Sequence, residues 1–261
     1  MGSVTYRDGI AILQLIIFPF ILLASLFIWK RTGWRVGSKI WRFPFTLSLI
    51  RIAGSISSLI SINNDSYNVE VAIAVCELIG IAPLLLTYIG ILRQIDTTEM
   101  TPPRVMKLIT LVAFIGLILG IAGVSSADDS TGTYHADTIV KASMGIFLAV
   151  FVIYHLITAW LFFQLHMNLR VFQKKLFIAI LASSPFILVR LVYSALGDYT
   201  TDPKFAVLVG NTTVYLVMSV LEEIVAMAIT MFLGMSAVLS PDFVKLAPPR
   251  SDSEPKDSNS V

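Results

Sequence analysis

Five ionisable side chains interrupt stretches of the sequence that are otherwise apolar: Arg51, Glu77, Arg190, Glu222 and Glu223. The last two are neighbours inside the run VMSVLEEIVAMA. An ionised side chain at the centre of a bilayer costs about 2.5–3.5 kcal/mol on insertion scales, so such residues face the interior of a helical bundle and pair with one another. We therefore expect the two arginines and three glutamates to form one polar centre.

The charge balance of this centre predicts an acid that holds a proton. Three carboxylates facing two guanidiniums would leave one uncompensated negative charge in a medium of low dielectric constant. Desolvation and a like-charged neighbour both favour the neutral form of a carboxyl group. We expect Glu222 or Glu223 to be this acid, and the candidate catalytic residues for general acid chemistry are Glu77, Glu222 and Glu223.

Helical spacing places further side chains on the same faces as these charges. Residues three, four, seven or eleven positions apart share one side of a helix. The residues that share a face with one of the charges are Tyr88, Phe186, Tyr193, Tyr215 and Asn211. Aromatic faces attract cations, so these five residues, with Arg51 and Arg190, are the candidate substrate-binding residues.

A purely structural role is the alternative for the same charges, because ion pairs inside a membrane can serve only to fix helix register. Glu222 and Glu223 point about 100° apart on a helix, so one of them can face a different neighbour. A lone histidine among apolar residues, such as His155, is more often hydrogen-bonded structure than a proton relay. No second His or Cys lies at a ligand spacing, so we expect no metal site and no other cofactor.

Membrane-spanning helices are the elements that must position this centre. Of 261 residues, 56% are hydrophobic and 14% are charged, and the mean hydropathy of +0.81 is too high for a soluble domain of this length. A membrane helix needs about 20 apolar residues. We predict an all-α polytopic bundle over residues 1–239, followed by a disordered cytoplasmic tail over 240–261. Its seven helices are predicted at about 9–29, 43–62, 71–92, 108–124, 142–166, 176–196 and 208–236.

The distribution of Lys and Arg predicts the orientation of this bundle. Fourteen of the 19 basic residues fall in the loops on one side or in the tail, and three, Arg7, Lys141 and Lys204, fall on the other side. Short cytoplasmic loops retain basic residues, so the N-terminus is expected outside and the C-terminus in the cytoplasm. Trp29, Trp34 and Trp41 are expected to anchor the cytoplasmic interface as an aromatic belt.

An internal repeat relates the first three helices to the last three. The second window reads PFTLSLIRIAGS from Pro44 and the sixth reads PFILVRLVYS from Pro185, so each has Pro-Phe, then Arg, then Ser four residues later. The third reads ELIGIA from Glu77 and the seventh reads EIVAMA from Glu223. This pattern predicts a parallel repeat of three helices on each side of a linking fourth helix.

Four local motifs carry a family resemblance: YRDG, ExxxxxPLLL, PFxxxRxxYS and YxxxxxLEE, which begin at Tyr6, Glu77, Pro185 and Tyr215. Together they resemble a family of fungal seven-helix integral membrane proteins of uncharacterised function, over about residues 5–236. This resemblance implies the fold and the kingdom. A weaker likeness, in length, helix number and acids in the third and seventh helices, is to fungal membrane-bound terpene cyclases of meroterpenoid pathways. There a protonated acid starts cyclisation, a role that the likeness implies for Glu77 and for Glu222 or Glu223.

Three functions are compatible with these residues. As an enzyme of secondary metabolism, such as a cyclase or isomerase, the protein would use a protonated Glu as general acid on a small lipophilic molecule from the bilayer. As a carrier, it would use the Arg and Glu set at mid-membrane to move a proton or bind an anion. A seven-helix receptor ranks last, because the receptor motifs of the third and seventh helices are missing. We place the enzyme ahead of the carrier. The protein is expected in the endoplasmic reticulum or the plasma membrane. Its expected partner is the lipid bilayer, and we expect no binding of nucleic acid.

The orientation can be tested with reporters at the two ends of the chain. A reporter fused after Val261 is expected to be cytoplasmic and one fused before Met1 is expected to be outside, because of the asymmetry in Lys and Arg. Protease accessibility of the two tags measures this. An N-terminal tag that is protected from outside protease while the C-terminal tag is cleaved would contradict the assignment.

Overall fold

Helices make up the regular structure of the described chain, and no strand occurs in it. The computed structural model describes residues 5–62, 73, 75, 76, 79–97, 100–125, 138–200 and 210–244. Short helical turns also occur at Trp34–Gly37 and His166–Asn168. The main helices are α1 (Tyr6–Thr32), α2 (Arg42–Ser61), α3 (Ile81–Ile95), α4 (Pro103–Ser125), α5 (Thr138–Leu165), α6 (Val171–Tyr199) and α7 (Thr212–Val238).

Length and hydropathy identify these helices as membrane spans. Within the described ranges, six helices are long and apolar enough to cross a bilayer, and α3 is a shorter apolar helix. Their outer surfaces carry large apolar side chains: Phe20, Leu181 and Phe232 are each at least 70% exposed. Such surfaces require hydrocarbon around them rather than water. The protein is therefore a multi-pass membrane protein, and the lipid bilayer is its surroundings.

The shortest main helix, α3, lies at the centre of the bundle. Every residue of α3 except Arg93 is buried, and the helix contacts α2, α4, α5 and α6. A helix that is apolar on all sides is typical of such a position. The expected third helix ended at residue 92, whereas α3 continues to Ile95.

Alternating helix directions create two faces of the bundle. We call the end that contains Tyr6, Ser61 and Tyr199 the N-face, and the opposite end, which contains Arg42, Ile95 and Val238, the C-face. Basic residues gather at the C-face, where burial lowers the pKa of Lys39 and repulsion from Arg93 and Lys107 adds to the effect. The expected assignment of the C-face to the cytoplasm stays a prediction.

Trp41 closes the C-face between α2 and α7. Its ring is 1% exposed and lies against Gly234, where an added Cβ would come within 2.6 Å of Trp41 Cη2. A residue without a side chain is required for this close approach, as at other tight contacts between membrane helices. The expected belt role is therefore wrong for Trp41. Trp34 is 57% exposed, and its ring centroid lies 5.2 Å from that of Trp29.

Contacts among three segments, namely α3, α6 and the residues after α7, tie the C-face together. Gln94 Nε2 donates to the Val244 carbonyl at 3.0 Å, and Gln173 Nε2 donates to the Ile95 carbonyl at 2.8 Å. The ring of Phe172 packs on that of Phe243. The packed chain thus extends a few residues beyond the expected boundary at 239, and residues 245–261 lie outside the described part.

Candidate functional site

A buried ion-pair cluster joins α2, α6 and α7. Arg51 forms a bidentate pair with Glu223, with Nε to Oε1 and Nη2 to Oε2 both at 2.6 Å. Arg190 Nη1 lies 2.9 Å from the same Oε2. The side chains are 4%, 2% and 1% exposed for Arg51, Arg190 and Glu223. The expected pairing of both arginines with a glutamate is confirmed, and one carboxylate serves both. We call these three residues the charged trio.

A π-helical segment of α7 positions the second arginine. Residues Leu216–Leu221 form this segment, directly before Glu222, and π segments inside helices often occur at functional sites. Arg190 Nη1 donates to Ser219 Oγ at 2.6 Å and to the Ser219 carbonyl at 3.1 Å. Ser219 thus holds Arg190 beside Glu223, four residues further along the same helix.

Gly80 lies directly beneath both guanidiniums, just before α3. A Cβ at this position would overlap Arg51 Nη2 and would lie 3.1 Å from Arg190 Nη2. The absence of a side chain therefore lets the two cations approach the central helix. Sequence reasoning missed this residue, although it stands three positions after Glu77 in the repeated motif.

The other two glutamates are placed differently from Glu223. Glu222 is half-buried, and its Oε2 has no hydrogen-bond partner among the described residues. Glu77 lies outside the described residues. The trio itself contains two guanidiniums and one carboxylate. The expected proton-holding acid therefore stays a prediction.

The aromatic candidates separate into two levels of the bundle. Tyr193 and Tyr215 lie together near the N-face, with ring centroids 6.4 Å apart, and Arg7 Cζ lies 5.6 Å from the Tyr215 ring. Tyr88 lies deeper, and its ring stacks on that of Tyr154 with an angle of 15° between the two planes. Its hydroxyl shares a hydrogen bond of 2.7 Å with Thr230 Oγ1. It is eight residues beyond Gly80, about 12 Å along α3.

Three further candidates have structural contacts. Phe186 is half-buried against the main apolar core. The Asn211 side chain caps α7 by accepting from the Thr213 and Val214 amides, a typical role for Asn at a helix start. His155 is hydrogen-bonded at both ring nitrogens, to the Phe151 carbonyl at 2.9 Å and to Ser184 Oγ at 2.5 Å. Both contacts agree with the structural interpretation of His155, which stays a prediction.

A narrow cleft with polar and apolar lining runs from Arg7 near the N-face to Arg51 of the trio, between α1, α2, α7 and the residues that precede α3. We call it the N-face cleft, and its polar lining consists of Arg7, Gln14, Arg51, Ser55, Ser58 and Tyr215. Ser55 Oγ donates to Gln14 Oε1 at 3.2 Å within it. Its free space would hold about one or two water molecules. The sequence did not single out Gln14, which is a lone amide on an otherwise apolar helix.

Isosteric Gln substitutions are expected to separate the two neighbouring glutamates. Glu223→Gln leaves two buried guanidiniums without a carboxylate, and breaking a buried pair typically costs about 3–5 kcal/mol. Glu222→Gln is expected to change the free energy of unfolding by about 0.5 kcal/mol or less, as at half-exposed positions without a pair. Unfolding of the purified protein in mixed micelles of increasing SDS content measures both.

Wild-type protein and Glu222→Gln serve as the matched references, because the two Gln variants differ by one position in the chain. Equal stability of the two variants would contradict the shared pairing of Glu223. A larger loss in Glu222→Gln than in Glu223→Gln would show that the assignment of the two acids is reversed.

Comparison with known proteins gives a family and no activity. No curated protein matches the chain, and no solved structure matches it. One family model matches residues 4–239, a range that contains the charged trio, Gly80 and both ends of the N-face cleft. Because this range is most of the 261 residues, the chain belongs to the family described as "Domain of unknown function (DUF7702)".

Proposed function

We propose that this protein is a carrier that binds a small organic anion at Arg51. The observation that carries the proposal is the sharing of Glu223 between two guanidiniums. Carboxylate and guanidinium form a bidentate pair, and a ligand carboxylate has the same geometry as that of Glu223. A ligand that enters the N-face cleft reaches Arg51, which lines the cleft, and can exchange with Glu223 there.

The second arginine, Arg190, compensates the charge of Glu223 during this exchange. When a ligand takes Arg51, Glu223 keeps its contact with Arg190, so no carboxylate is left unpaired in a medium of low dielectric constant. Arg190 is itself held in place by Ser219. A single Arg–Glu pair would lack this property, because its carboxylate would lose its one partner.

The two ends of the bundle differ in a way that suits alternating access. Polar residues line a cleft from the N-face to the trio, while Trp41 against Gly234 closes the C-face. Carriers with internal repeats bind near mid-membrane and open to one side at a time. The proposed repeat of three helices supports this mechanism, because it assigns Arg51 to the first repeat and Arg190 to the second.

General acid catalysis receives less support from this geometry. A general acid must hold a proton next to a substrate, whereas the carboxylate in the trio faces two cations that stabilise its negative charge. Glu222 does not line the N-face cleft. The terpene-cyclase-like function, with Glu77 and Glu222 or Glu223 as acids and a lipophilic substrate, therefore stays a prediction, as does the receptor function.

Anion binding can be tested on the purified full chain in neutral phosphatidylcholine nanodiscs. The probes are acetate, lactate and benzoate, each compared with its amide, which has the same shape and no charge. At least one carboxylate is expected to raise the temperature of unfolding, since a ligand at 100 times its Kd contributes about 2.7 kcal/mol. Its amide is expected to have no effect.

Two conservative variants make the assay specific for Arg51. Arg51→Lys keeps the charge but loses the planar fork that binds a carboxylate bidentately, so the shift is expected to disappear. Arg93→Lys, at the C-face, is the matched control and is expected to respond like wild type. An equal shift with acid and amide, or a wild-type response in Arg51→Lys, would contradict anion binding. Counterflow of labelled carboxylate into proteoliposomes then distinguishes a carrier from a binding protein without transport.

A further inference from the structure

A second cleft, separate from the charged trio, lies between α3, α4, α5 and α6 at their N-face ends. Two polar side chains of α6, Ser194 and Asp198, line it together with an apolar wall that includes Leu117, Met144 and Phe147. We call it the Asp198 cleft. None of the residues of the N-face cleft lines it, so the two clefts are independent.

The carboxylate of Asp198 is buried and incompletely bonded. The residue is 4% exposed, and its Oδ1 has no hydrogen-bond partner among the described residues. Lys141 attracts it electrostatically, yet no ion pair within 4.0 Å joins these two described side chains. A buried acceptor without a donor is unfavourable, and a charged one more so. The cleft therefore presents a buried carboxyl oxygen that is ready to accept a hydrogen bond.

The apolar wall indicates what kind of group a ligand would have beyond the part that contacts Asp198. Free space in the cleft would hold about one or two water molecules, so a small head group followed by an unbranched chain suits it better than a ring system. Gly120 lies on the α4 side, where an added Cβ would come within 3.0 Å of Ser143 Oγ. This glycine lets α4 approach α5 closely beside the acid.

We propose that the Asp198 cleft binds a lipophilic primary amine. The ammonium group donates to Asp198 Oδ1 and neutralises the carboxylate, and Ser194 offers a second polar contact. The unbranched hydrocarbon chain lies along Leu117, Met144 and Phe147. Asp198 is the second-last residue of α6, so the ammonium group sits near the membrane surface and the chain points toward the bilayer centre. This inference is independent of anion binding at Arg51.

Three straight-chain probes of equal length separate charge from hydrogen bonding. Dodecylamine carries both a charge and N–H donors, dodecyltrimethylammonium carries a charge without donors, and dodecanol carries a donor without a charge. The full chain in phosphatidylcholine nanodiscs is dialysed against each labelled probe, and binding to empty nanodiscs is subtracted. Wild-type protein is expected to bind dodecylamine about tenfold more tightly than the other two, since hydrogen bonds between charged partners are the stronger ones.

Variants of the acid test whether Asp198 is the receptor. Asp198→Asn keeps the shape and is expected to weaken dodecylamine binding about tenfold, while Asp198→Glu is expected to stay within a few-fold of wild type. Asp242→Asn, which removes a carboxylate at the C-face, is the control and is expected to bind like wild type. Equal binding of the three probes to wild-type protein would overturn the proposal without any variant. Wild-type affinity in Asp198→Asn would overturn it as well.

Discussion

A carboxylate shared by two arginines inside a membrane constrains the rest of this bundle. Glu223 is 1% exposed, and Arg51 and Arg190 compensate its charge. A charge buried in a membrane bundle requires such pairing. The three side chains come from α2, α6 and α7, which must therefore meet at one depth. Gly80 must lie beneath the guanidiniums, because a side chain there would overlap Arg51. The central position of α3 follows from this contact as well as from its apolar surface.

The same cluster connects the architecture to the proposed carrier function. In the proposed exchange a ligand carboxylate takes the place of Glu223 at Arg51, and polar side chains of the N-face cleft line the approach to this arginine. Closure of the opposite end rests on packing of a different kind, in which Trp41 fills the space left by Gly234. A polar passage on one side and a dry contact on the other are the two elements that alternating access requires. The Asp198 cleft uses neither of them and faces a different set of helices.

The sequence predicts the helices and the pairing well, because both follow from the cost of polar groups in hydrocarbon. It could not decide between Glu222 and Glu223, since the π-helical segment Leu216–Leu221 interrupts the regular spacing on which face assignment depends. Asp198 was missed because the predicted sixth helix ended at 196, where a carboxylate resembles an ordinary loop residue. Trp41 was misassigned because the residues around it in the sequence suit an interfacial tryptophan as well as a buried one. Only the tertiary contact with Gly234 identifies Trp41 as buried.

A double-mutant cycle between Arg51 and Glu223 tests the shared carboxylate most directly. The free energy of unfolding is measured for wild-type protein, Arg51→Gln, Glu223→Gln and the double variant in the same mixed micelles. Residues in one ion-pair network show interaction energies of about 0.5–3 kcal/mol, and this buried bidentate pair is expected to give at least about 1 kcal/mol, with the double variant more stable than the sum of the single losses. Additive losses, within about 0.3–0.5 kcal/mol, would contradict the pairing on which the account of this protein depends.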